Sequence, residues 1–198
     1  GSRGANGVVL ITTKKGTVGK PKLSVTGRYF VSNVLKKIPL LNAGEFAQVA
    51  NERADVLGSS RPFTDQQVAD FIANGGYDWQ DMIFRTAGGQ EVQMDYSGGT
   101  DAVTYFISGN YFDQDGIIIN SGFKRYSLRT NIDAKLSEKL RGSLKVNFAR
   151  RETNNTSGSL NTNSLVAGAT AWAPTTPPYD ANGKLTLVDP VSSIKTNP

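Results

Sequence analysis

The chain has 198 residues, a net charge of +5, and neither cysteine nor histidine. Disulfides, thiolate nucleophiles, Cys/His zinc sites and Ser-His-Asp chemistry are thereby excluded within it, and only carboxylate-based catalysis stays open. Five of the 22 Lys and Arg residues fall in the first 22 positions, ahead of the first acid at Glu45; the rest balances at 17 against 17, so the excess reads as a solvated basic linker and not as a nucleic-acid face.

The chain opens with a glycine-rich turn, then the apolar run Val8–Ile11, compatible with a buried strand, then a basic exit at Lys14, Lys15 and Gly16. No phosphate-binding glycine loop is matched. After Pro21 a period of two predicts a strand: Leu23, Val25, Gly27, Tyr29 and Val31 share one face, and Lys22, Ser24, Thr26, Arg28 and Ser32 the other, with Phe30 breaking the pattern.

Two helices follow. Asn42 with Glu45 forms a capping box before an apolar face of Phe46, Val49, Ala50 and Leu57, and Gly58 stops the helix. Thr64 with Gln67 starts the second, whose stripe is Val68, Phe71 and Ile72, ending at Gly75. The second helix carries Asp65 and Asp70 and no base, which favours packing on neighbouring structure over a membrane surface. In the next stretch, Tyr77 to Ala87, Trp79, Ile83 and Phe84 read as packing residues.

From Val92 the alternation resumes. Val92, Met94 and Tyr96 oppose Gln93, Asp95 and Ser97; a tight turn at 98–101 follows; Val103, Tyr105, Ile107, Gly109 and Tyr111 then oppose Thr104, Phe106, Ser108 and Asn110. After a longer loop at 113–122, Tyr126, Leu128, Thr130, Ile132, Ala134 and Leu136 oppose Ser127, Arg129, Asn131, Asp133 and Lys135. A turn at 137–140 leads to Leu144, Val146 and Phe148 against Ser143, Lys145 and Asn147. The strands at 103–112 and 124–136 exceed the usual globular length and suit a tilted bilayer crossing of about 9–11 residues. Short and long connections alternate, and Tyr29, Tyr96, Tyr105, Tyr111 and Tyr126 lie on the apolar face as an aromatic girdle would. The other face mixes both charge signs with amides and hydroxyls, as a watery or plugged lumen would. A soluble antiparallel sheet with one buried face shows the same alternation, and the pattern alone leaves both open.

Beyond Arg151 the chain turns rich in Asn, Ser and Thr, then Pro, and predicts a long surface loop with a small hairpin at 179–188. Trp172 and Tyr179 are candidate ligand contacts there, by stacking on sugar rings, with a packing anchor the competing role for Trp172. The run Asp113-Gln114-Asp115-Gly116 begins like a calcium loop but places its glycine two positions early and lacks the closing Glu. Asp95 and Asp133 are expected to pair with Arg28 or Arg129 across the sheet.

Three blocks carry a family resemblance. The opening Gly-Ser-Arg-Gly-Ala-Asn-Gly-Val-Val-Leu-Ile-Thr-Thr-Lys-Lys-Gly, the stretch Asp78-Trp79-Gln80-Asp81-Met82-Ile83-Phe84-Arg85-Thr86-Ala87, and the run from Ser97 to Asp133 resemble, in order, segments of SusC/RagA-like TonB-dependent outer-membrane transporters. Met82 departs from the acid usual there. The resemblance covers residues 1 to about 150. It implies an all-β fold: an antiparallel transmembrane barrel segment, the N-terminal strands of a barrel of about 22 strands, preceded by the last plug strand and carrying two short helices in its first extracellular loop. Residues 1–16 would end the plug domain and 17–198 begin the barrel domain, with the helical loop at 42–75 and a long extracellular loop from about 152.

The implied role is uptake of glycans or peptides across the outer membrane of a Gram-negative cell. A SusD-like surface lipoprotein and TonB would be the partners and outer-membrane lipid the surroundings, with no enzymatic activity, cofactor, metal or nucleic acid. Arg28, Gln93, Asp95, Arg129, Asn131, Asp133 and Lys145 become lumen-lining candidates. The rival expectations are a soluble β-rich carbohydrate-binding module using Trp172 and Tyr179, and an enzyme built on a carboxylate pair, for which no spacing here stands out.

Overall fold

A computed structural model of the chain describes residues 13–155 and 165–191; the apolar run Val8–Ile11 and most of the Asn/Ser/Thr-rich stretch lie outside the described residues. Two compact units emerge, one drawn from Gly1–Phe30, Gly89–Gln114 and Phe123–Glu152, the other from Val31–Gly88, Asp115–Gly122 and Thr153–Pro198.

The first unit is a five-stranded antiparallel sheet: β1 (Gly19–Ser32), β2 (Ala87–Gly99), β3 (Val103–Asp115), β4 (Gly122–Lys135) and β5 (Arg141–Asn154), each beside its sequence neighbour. The β2–β3 register sets Tyr96 opposite Ile107, Met94 opposite Gly109 and Val92 opposite Tyr111, and so keeps the apolar residues of both strands on one face. The tight turn is closed by Thr100 N–H donating to the Val103 carbonyl at 2.7 Å, and the β4–β5 turn by Leu136 N–H donating to the Leu140 carbonyl at 2.9 Å. β3 and β4 run further than the alternation implied and shorten the loop between them to residues 116–121. β5 is much longer than its three apolar markers, at 14 residues, because a polar strand gives no alternation to read.

The second unit holds the helices α1 (Ala43–Val56), α2 (Asp65–Asn74), α3 (Trp79–Ile83) and α4 (Leu165–Ala171). Both expected capping boxes form, Asn42 with Glu45 and Thr64 with Gln67. Gly75 caps α2 with φ 74°, a conformation that disfavours any side chain.

The buried face of α1 is not the expected one. Ala43, Ala47, Asn51 and Ala54 are buried, whereas Val49 is 49% and Leu57 67% exposed. The reason is long-range. Asn51 Nδ2 donates to the Phe63 carbonyl at 2.8 Å and Phe63 N–H donates back to Asn51 Oδ1 at 3.1 Å, fixing the α1–α2 connection against the small-residue face. Phe63 then meets Phe71 of α2 edge-on, with ring centroids 5.8 Å apart.

The larger core joins α3 and α4. Trp79, Ile83, Ala169 and Trp172 are buried together, with Phe84, Leu165 and Val166 packed on them. The two indoles meet edge-on at 4.9 Å, and Trp79 Nε1 donates to the Ala173 carbonyl at 3.2 Å. α4 was not expected: its run Leu165–Ala171 is too short for a helical period to stand out of a loop-like context. The small hairpin does form, with Tyr179 bridged to Leu185 and Asp180 N–H donating to the Lys184 carbonyl at 2.7 Å.

Asn51→Leu nearly conserves volume but leaves both main-chain groups of Phe63 without partners. The expected loss is about 1–3 kcal/mol, read as a lower urea midpoint in the fluorescence of Trp79 and Trp172; an unchanged midpoint would refute the clamp.

Candidate functional site

The sheet's burial is inverted relative to that of a soluble protein. Its apolar face is the open one: on β2, Val92 is 39%, Met94 49% and Tyr96 40% exposed, while Glu91, Gln93, Asp95 and Ser97 between them are half-buried. Leu128, Val146 and Phe148 continue the open apolar surface on β4 and β5. A contiguous apolar surface of this kind is rare on a water-soluble monomer and marks contact with lipid or protein. Two tyrosine pairs bracket it. Tyr96 and Tyr105 lie 5.4 Å apart near the tight turn, and Tyr111 and Tyr126 5.1 Å apart toward the longer loop. Tyr105 and Tyr111 are six residues apart on β3, about 20 Å at the strand rise, close to the apolar band of an outer-membrane barrel.

The opposite face carries a hydrogen-bonded row with one residue from each of four strands. The Arg28 guanidinium on β1 donates to the Glu91 carboxylate on β2. Asn110 Nδ2 on β3 donates to the same carboxylate at 2.9 Å, and Arg125 Nη2 on β4 donates to Asn110 Oδ1 at 3.2 Å. Phe30 stacks on Phe112 beside this row at 5.8 Å and Phe123 meets Phe112 at a tilt at 5.9 Å, with Arg28 and Arg125 lying 5.9 and 5.5 Å from the Phe30 and Phe112 rings. Nearer the tight turn, Asp95 accepts from Ser108 Oγ at 2.6 Å, from Gln93 Nε2 at 3.1 Å and from Lys14 Nζ at 3.4 Å. Arg129 Nε donates to Asn147 Oδ1 at 2.9 Å, tying β4 to β5.

Alternation places Arg28, Gln93, Asp95, Arg129, Asn131, Asp133 and Lys145 together on this polar face. The expected pairing of Asp95 or Asp133 with Arg28 or Arg129 is replaced. Arg28 meets Glu91, Asp95 meets Lys14, and Arg129 meets an amide. Strand register decides this, and register is invisible to a per-strand reading. The aromatic row was also missed, although Phe30 announced it by breaking the alternation of its strand.

The helical unit holds a cavity of about 450 Å³ whose walls include Leu40, Leu41, Phe46, Tyr77, Trp79 and Pro174. Gln80 fixes one wall, accepting from Ile38 N–H at 2.9 Å and donating to its carbonyl at 2.8 Å. At the rim Lys37 bonds to Asp78 and Asp81. The bond to Asp81 leads in holding the Lys37 ammonium above its ordinary range. Partial burial pushes the Asp78 carboxyl up, but the Asp81 backbone N–H and Lys37 outweigh it, and the group sits below the usual carboxylate range. Trp172, a candidate ligand contact, is only 3% exposed and serves as the packing anchor; Tyr179 is 57% exposed. Among the described residues no cluster of acids is placed to hold a metal ion.

No family profile matches the chain. It is 36% identical over 193 residues to TonB-dependent receptor P3 of Formosa agariphila, covering 94% of this chain and 18% of that protein. It is 33% identical over 180 residues to TonB-dependent receptor SusC of Bacteroides thetaiotaomicron, covering 90% of this chain and 17% of that one. Among solved structures, the RagAB peptide transporter superposes with a TM-score of 0.74 at 25% identity, over 95% of this chain and 24% of the solved one. The RagAB importer in its closed-closed state gives 0.69 at 28%. The chain therefore spans less than a fifth of the curated relatives named here.

Removing the Glu91 side chain leaves Arg28 and Asn110 without their shared acceptor. Glu91→Ala is expected to cost about 1–2 kcal/mol, and a double-mutant cycle with Arg28→Ala should give a coupling of about 0.5–1 kcal/mol, since Arg28 is mostly exposed. Zero coupling would mean the row contributes nothing as a unit.

Proposed function

We propose, from the premise that this chain is a SusC/RagA-like TonB-dependent receptor sequence, that its five strands are part of the wall of an outer-membrane β-barrel of a Gram-negative cell. The observation that carries this is the inverted sheet. Its apolar face, bracketed by tyrosine pairs, meets lipid, and its polar face lines the lumen. Arg28, Gln93, Asp95, Arg129, Asn131, Asp133 and Lys145 then face the transport path, joined by Glu91, Asn110 and Arg125. Residues up to 16 end the plug and the barrel domain starts at 17.

The role is passive in chemistry and active in transport. Energy enters through TonB acting on the plug, and a SusD-like surface lipoprotein delivers a glycan or peptide from outside. The polar row runs cation, carboxylate, amide and cation, and with the phenylalanine cluster beside it can meet both hydroxyl-rich and amide-rich ligands. The helices α1 to α3 between β1 and β2 belong to the first extracellular loop, and α4 to the long loop that follows β5. A soluble carbohydrate-binding module has less support, because the indole it would need, that of Trp172, is taken up in the core.

Adjacent cysteines test the two faces. In the intact receptor in outer membranes, Met94→Cys is expected to react with a lipid-soluble maleimide and resist a charged one, with Gln93→Cys showing the reverse; equal reaction of both with the charged reagent would overturn the reading. Affinity purification of the receptor from the same membranes should bring down a surface lipoprotein in about equal amount, and its absence under mild detergent would remove that partner.

A further inference from the structure

The chain reaches β1 by first crossing the other strands. Asn131 Nδ2 on β4 donates to the Lys14 carbonyl at 2.8 Å, a bond between residues 117 apart in sequence. Lys14 Nζ reaches Asp95 on β2 at 3.4 Å. Gly16 then lies against β3 so closely that a Cβ there would sit 2.3 Å from the Tyr105 nitrogen and 2.5 Å from its oxygen. The three contacts fall on three different strands, before β1 begins at Gly19.

Their weights differ. The Lys14 side chain is 72% exposed, so its ion pair is screened and weak. Asn131 is different. It is 5% exposed, and a buried amide without a partner is costly, so its bond to Lys14 is held firmly. At Gly16 the constraint is steric, and only a residue without a side chain lets the backbones approach this closely.

The geometry points to Lys14–Gly16 as a fixed anchor on the polar face, with Asn131 and Gly16 as its positioning residues. This rests on the reading of the chain as barrel wall preceded by a plug. Displacement of whatever precedes Thr13 then stops at Lys14, and the pairing of β1 with β2 carries no load. Without the anchor, a pull would act directly on the first rungs of β1.

The test is amide hydrogen exchange, followed by mass spectrometry, on the intact receptor in detergent. A peptide spanning 13–18 should be protected in the parent, and Asn131→Leu and Gly16→Val should each raise its exchange at least about tenfold, with peptides within β3 and β4 unchanged. Exchange at solvent rates in the parent, or indifference to both variants, overturns the anchor. A rise spread over β3 and β4 does so too, because it makes these residues general supports of the sheet. As a second measurement, Lys14→Cys with Asp95→Cys, which replaces only the weak ion pair and keeps Asn131 and Gly16, should be joined by a short bifunctional thiol reagent in outer membranes, and failure to join them overturns the anchor. Loss of the receptor from the outer-membrane fraction would instead sink the barrel reading, and the exchange data are read independently of it.

Discussion

Hydrocarbon offers no hydrogen bonds, and in the barrel reading that constraint organises the sheet. A backbone in contact with lipid must satisfy every N–H and C=O within protein, which β2, β3 and β4 achieve by having a strand on either side. At 13 or 14 residues each strand exceeds a bilayer crossing, so pairing continues beyond the apolar band. The same constraint explains why apolar side chains can stay open on one face: they need no protein cover where lipid provides it. It also makes β1 and β5, the two edges of this sheet, places where further strands are required in the barrel reading.

If the apolar surface belongs to lipid, as the barrel reading has it, cohesion on the other face has to come from polar contacts, and most of these are individually weak. Exposed ion pairs contribute about 0–1 kcal/mol each. What distinguishes the row from Arg28 to Arg125 is that Glu91 and Asn110 are shared, each serving partners on two sides. Sharing orients the groups without burying them fully. A sheet face of this kind holds its shape yet keeps donors and acceptors open, which is what the proposed lumen lining requires.

What was legible in the sequence was local or periodic. The capping boxes of Asn42–Glu45 and Thr64–Gln67 act over three residues, and both helices start where those residues put them. The strands with an apolar face announced themselves by a period of two, as at Tyr105, Ile107 and Tyr111. What was hidden depended on partners far away in the chain. The buried face of α1 follows from Asn51 holding Phe63, and hydrophobicity pointed to Val49 and Leu57 instead. The partner of Arg28 follows from strand register. α4 exists because Trp172 has Trp79 to pack against, and nothing within residues 165–171 says so. The family resemblance supplied the choice between a soluble sheet and a barrel wall, which the alternation had left open.

The pairing of Trp79 with Trp172 has a consequence for the order of folding. The chain between them contains β2, β3, β4 and β5, so the core of the helical unit closes a loop that encloses most of the sheet's sequence. Contacts of such high sequence separation form late, because the entropy of the intervening chain must first be removed. The strands, linked by short turns, can pair sequentially before this, and their pairing shortens the effective loop. The indole pair is therefore a completion mark: it assembles only after four strands have been laid down, and an arrest anywhere among them leaves α3 without its partner.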